Sequence, residues 1–81
     1  MTGEEKYEAI EIGLEMATEV KRARDMYPKF VSMHEGYAVL LEELDELWDE
    51  VKQKKGDPAK LRMEAVQVGA MAIRFIQDCC P

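Results

Sequence analysis

The stretch LLEELDELWDEVK, residues 40–52, decides the fold. Leu40, Leu41, Leu44, Leu47, Trp48 and Val51 return every three or four positions, and Tyr37 extends the series backward. That is the period of one face of an α-helix. Upstream, Ser32 is a candidate N-cap with Glu35 three residues on, the spacing of a capping box. The helix is expected from Met33 to about Lys54. Lys52, Lys54 and Lys55 crowd its end, where cations suit the helix dipole, and Gly56 suits a C′ position.

Two more helices flank it. The first is expected from about Glu4 to Met26. Thr2 and Glu5 have capping-box spacing, and Pro28 disfavours a helical Tyr27. Its apolar residues, including Tyr7, Ile10, Ile12, Leu14, Met16 and Val20, exceed one narrow stripe, so it is expected between two partners. The last is expected from Pro58 to about Asp78, with Asp57 as N-cap and Pro58 at the first helical position. Its middle, AVQVGAMAI at residues 65–73, is apolar nearly all round. Ala65, Gly69, Ala70 and Ala72 let another helix approach closely. Two neighbouring helices hardly cover this surface. The expected fold is therefore all-α: one domain over residues 1–81, three main helices per chain, and a helical bundle shared between subunits of a homodimer or homotetramer.

The chain has 81 residues, near the lower edge of independent stability. Disulfides are not expected to help. The two cysteines, Cys79 and Cys80, are adjacent, and neighbouring Cα atoms about 3.8 Å apart fall below the usual disulfide span. They read as free thiols. One histidine and no CxxC argue against zinc. The net charge of −6 argues against an ordinary basic nucleic-acid surface. No apolar run is long enough to span a membrane, and the N-terminus lacks signal-peptide order. The expected location is cytoplasmic.

The acids are not spread evenly. On a wheel at about 100° per residue, Glu43, Glu46 and Glu50 cluster on one flank of the apolar stripe, with Val39 among them. Glu42, Asp45 and Asp49 point further outward. On the last helix Glu64, Gln67, Met71, Arg74 and Asp78 share a face, and Glu64 and Gln67 adjoin the apolar run. A buried carboxylate needs an arginine, a lysine or a metal ion. Two helices each offering two oxygen side chains at i and i+3 can build a four-oxygen cage for a hard cation such as Mg²⁺. Two alternatives stay open: a solvated acidic face with i,i+4 pairing, and Arg74 as the partner of Glu64.

Glu43-Leu44-Asp45-Glu46, followed about twenty residues later by Glu64-Ala65-Val66-Gln67, resembles the paired ExxE and ExxD motifs of the MazG-like, all-α nucleotide pyrophosphohydrolase superfamily. His34-Glu35-Gly36-Tyr37 and Ala70-Met71-Ala72 are similar to its short phage and bacterial forms. The resemblance covers roughly residues 20 to 79. It implies a dimer or tetramer that hydrolyses a nucleoside triphosphate to the monophosphate and pyrophosphate with Mg²⁺, or Mn²⁺ as substitute. It also implies that Glu43, Glu46 and Glu64 are the catalytic metal ligands. Gln67 stands where the family has aspartate. It still offers a carbonyl oxygen, but the cage loses one charge.

Lys54, Arg62 and Arg74 are candidate substrate-binding residues for the phosphates, by charge and position; each also fits a surface or ion-pair role. His34 reads as a polar residue of the capping region. Trp48 and Tyr37 read as core or subunit interface, with base stacking the alternative. Two further readings accompany the enzyme: a non-catalytic relative that binds metal or nucleotide, and an acidic helical interaction module.

Overall fold

A computed structural model describes residues 1–80. They form three helices, α1 (Gly3–Met26), α2 (Met33–Val51) and α3 (Pro58–Cys79), and no strand. The caps are those the sequence marks. Thr2 accepts from the Glu5 N–H at 3.1 Å, and the Glu5 carboxylate returns to the Thr2 hydroxyl and N–H. Ser32 accepts from the Glu35 N–H at 3.1 Å, but Glu35 reaches back one residue further than a standard box, to the N–H of Val31. Asp57 accepts from the Ala59 N–H at 3.0 Å.

The end of α2 corrects one expectation. The helix stops at Val51, not near Lys54, with Lys52 as its C-cap. The side chain of Gln53 donates to the carbonyl of Asp49 at 2.9 Å and closes the last turn. Residues 52–57 contain nothing apolar to hold another turn against α3. Gly56 is thus not the C′ residue, and it has no positive φ. Lys54 and Lys55 lie beyond the helix end.

α3 is the central element. It packs against both α1 and α2, which do not pack against each other. The core is a small cluster of Val20, Ala23, Ala70 and Met71, joined by half-buried Val39, Leu40 and Ile73. Two glycines allow the close approaches. A Cβ on Gly69 would run into the side chain of Met16 on α1, and one on Gly36 would lie 2.8 Å from the ring of Phe75 on α3. The link between α1 and α2 is tied down by buried Phe30. Its N–H donates to Asp78 at 3.0 Å. Arg24 donates to both oxygens of the same carboxylate.

α1 has one neighbour, not the two its wide apolar surface anticipates. Residues 3–11 are exposed throughout, Tyr7 and Ile10 among them. On α2, Tyr37, Leu41, Leu44, Trp48 and Val51 all face outward. The radius of gyration is 13.8 Å, against about 12 Å for a compact domain of this length. The accessible surface is 6264 Å², against about 5,000 Å² for a folded monomer of this mass. No helix among the described residues is long and apolar enough to cross a membrane.

Candidate metal centre and the adjoining cavity

Packing of α2 on α3 brings Glu43, Glu46 and Glu64 together. Each places a carboxylate oxygen within 4.8 Å of the others. Glu43 and Glu46 follow each other by one turn of α2, and Glu64 faces them from the first half of α3. Glu43 and Glu64 are half-buried and Glu46 is exposed. Burial, then the neighbouring Glu46 carboxylate, pushes the Glu43 carboxyl up to about 7. Burial and Glu46 also raise Glu64. Carboxylates crowded in this way hold a proton or a cation between them. The donor set is oxygen alone, which suits a hard divalent ion such as Mg²⁺ or Mn²⁺.

The surroundings do not neutralise the cluster. Lys60 is the cation whose charge acts on Glu64. It pairs with Glu50 at 3.2 Å and offsets only part of the upward shift of Glu64. Neither Lys60 nor the supporting role of Glu50 stands out in the sequence, although Lys60 lies four residues before Glu64 on the same helix face.

Gln67 is engaged from the other side. Its amide nitrogen donates to Glu19 on α1 at 2.6 Å. Glu19 also receives Arg22 at 2.9 Å. The Gln67 bond, then that of Arg22, holds the Glu19 carboxyl below its ordinary range. The nitrogen is committed, so the carbonyl oxygen is the Gln67 atom able to act as a ligand.

The three basic residues separate. Arg62 pairs with Glu15 at 2.7 Å, both exposed, beside a cavity of about 370 Å³ between α1 and α3. Lys54 lies exposed in the α2–α3 connection and makes no ion pair among the described residues. Arg74 is 3 % exposed and does not pair with Glu64. Its guanidinium lies over the Phe30 ring, 4.3 Å from the centroid. It donates to the Pro28 carbonyl at 3.1 Å and, weakly, to the Met71 sulfur at 3.4 Å. Its Nε–H has no partner.

Because α1 and α2 stand apart on α3, a cavity of about 380 Å³ opens between them. Glu43 lines it, so the acidic cluster and the cavity share a wall. α3 contributes Gln67, Met71 and Arg74; α1 and the link contribute Ala23, Tyr27 and Phe30. Spacing along each helix does not reveal this space, which depends on α1 and α2 failing to meet. His34 is exposed at the start of α2. Tyr37 and Trp48 are not in the core of the chain.

Compared with protein-family models, with curated proteins and with solved structures, the chain matches none.

Proposed function

We propose that the chain is a Mg²⁺-dependent nucleoside triphosphate pyrophosphohydrolase that acts as a homo-oligomer, converting its substrate and water to a nucleoside monophosphate and pyrophosphate. The convergence of Glu43, Glu46 and Glu64 within 4.8 Å, from two helices, carries this reading. Three carboxylates that Lys60 offsets only in part, beside a cavity of about 380 Å³, fit a site that gathers a cation and the phosphates it neutralises. The MazG-like pattern of the same residues supports it.

Glu43, Glu46 and Glu64 would hold Mg²⁺ or Mn²⁺, and the carbonyl oxygen of Gln67 is available as a fourth ligand. When bound, the metal supplies a Lewis acid for phosphate oxygens and lowers the pKa of a coordinated water. Lys60 on α3 pairs with Glu50 on α2 and ties the two helices together beside the cluster, while Glu19 holds the Gln67 amide. Lys54, exposed and without an ion pair among the described residues, is left open to meet phosphate, whereas Arg62 is engaged by Glu15.

Self-association rests on area and spacing. The exposed surface exceeds that of a compact monomer by about 1,300 Å², and a standard interface takes about 800 Å² from each partner. Tyr37, Leu41, Leu44, Trp48 and Val51 follow a four-three-four-three spacing, that of a helix–helix seam. A second copy covering this seam would complete the bundle.

One observation favours a second reading, a non-catalytic relative that binds metal or nucleotide: Gln67, in the place of the family's aspartate, leaves the cluster one charge short, and its amide is tied to Glu19 on α1. Phosphorus NMR of a panel of NTPs and dNTPs with Mg²⁺ separates the two. Equal amounts of monophosphate and pyrophosphate, lost in Glu46→Gln, support the enzyme. Unchanged triphosphates from folded, oligomeric protein reject it.

A further inference from the structure

The cavity between α1 and α2 holds a buried cation that makes no direct ion pair among the described residues; the carboxylate that feels its charge, Asp78, is bonded elsewhere. Arg74 is 3 % exposed and forms no ion pair among the described residues. The nearest acid on its helix face, Asp78, has both oxygens committed to Arg24 and the Phe30 N–H. Of the five guanidinium N–H groups, one meets the Pro28 carbonyl and one meets a thioether; the Nε–H meets nothing. A buried arginine in this condition calls for an acceptor from outside the chain.

The other walls decide what kind. Ala23, Val39, Met71 and the Phe30 ring are apolar, and Glu35, Glu42 and Glu43 line the same space. The second cation lining it, Arg22, is paired with Glu19. Three acids against one unpaired arginine disfavour a phosphate dianion. A neutral, flat ligand with acceptors on one edge and donors on another suits an arginine and carboxylates together. The volume, about 380 Å³, is of the size ligand pockets have.

The geometry points to this cavity as a nucleobase subsite in which Arg74 selects a 6-oxopurine. The arginine fork matches two adjacent acceptors, as guanine offers at O6 and N7, whereas adenine turns an amino group toward it. Guanine also presents N–H donors on its other edge, the complement of a carboxylate. The assignment rests on the reading of Glu43, Glu46 and Glu64 as the phosphate end, since Glu43 joins that cluster to the cavity.

The test uses nucleosides without phosphate, in EDTA, so that it is independent of catalysis. Binding of guanosine, inosine and adenosine to the full chain is measured by saturation-transfer NMR, with inorganic phosphate as competitor. Guanosine and inosine are expected to bind about tenfold or more tighter than adenosine, and phosphate should not displace them. Arg74→Met should erase the difference, and Arg74→Lys should retain part of it. Adenosine binding equally well to the wild-type chain, or phosphate alone binding, overturns the proposal whether or not the variants fold. Pyrophosphate release without base preference would leave the enzyme reading intact and remove this one. Selective guanosine binding without any release would do the reverse.

Discussion

Arg24 on α1 and Asp78 at the end of α3 meet at 2.6 Å, and the Asp78 side chain is almost wholly out of water while Arg24 remains partly exposed. Asp78 also receives the Phe30 N–H. One carboxylate thus joins α1, the α1–α2 link and α3. The Arg24 bond, followed by that of Phe30, holds its carboxyl down at about 2 against an ordinary 3.8. A depressed carboxylate stabilises the fold fully above its unfolded value and stops doing so as pH falls through the folded one. Stability should therefore drop between about pH 4 and pH 2. Asp78→Asn should remove that dependence and cost about 3 kcal/mol at neutral pH, read by urea titration.

Glu43 runs the opposite way. Its carboxyl is raised from 4.5 to about 7 by burial and by Glu46. In the absence of metal its contribution is complete below the unfolded value and is lost as pH rises through 7. Glu43→Gln should raise the Tm at pH 8 in EDTA and leave it nearly unchanged at pH 4. A gain of 1 kcal/mol would read as about 4–8 °C for a chain of this size. A lower Tm at pH 8 would show that Glu43 is not crowded.

The two close-packed glycines should respond differently to alanine. At Gly36 the new methyl meets the rings of Phe75 and Phe30, which have little room to turn aside. Gly36→Ala should cost about 1–3 kcal/mol. At Gly69 it meets the flexible end of Met16, which can swing away, and alanine favours the helix by about 1 kcal/mol. Gly69→Ala should be close to neutral. Thermal melts of both variants at one protein concentration make the comparison.

The caps and the helix count were legible because they depend on residues within a turn of one another: Thr2 with Glu5, Ser32 with Glu35, Asp57 before Pro58. The acidic triad was legible in part. The facing of Glu43 and Glu46 follows from helical spacing; the approach of Glu64 is one of the arrangements spacing allows, and the one the resemblance implies. The Gln67–Glu19 bond and the burial of Arg74 against Phe30 were not legible. Both join residues more than 40 positions apart, one through the packing of α1 on α3 and one through the α1–α2 link. The early stop of α2 was missed because three lysines after Val51 suit a helix end by charge, yet offer nothing to bury.

The α2 seam should hold copies of the chain together. Leu44→Lys and Trp48→Lys place charges on side chains that are about half exposed in the single chain. Sedimentation equilibrium should give a dimer or tetramer for the wild type and a smaller species for either variant. A monomeric wild-type chain at micromolar concentration would remove the shared bundle.

The acidic triad is the centre of the account, and Mn²⁺ binding followed by electron paramagnetic resonance tests it most directly. The wild-type chain should bind the ion and quench its free signal. Glu43→Gln, Glu46→Gln and Glu64→Gln should each weaken binding at least tenfold while keeping their helix content. Wild-type protein that leaves the free Mn²⁺ signal unchanged, or variants that bind as well as wild type, would contradict a metal site built by these three residues.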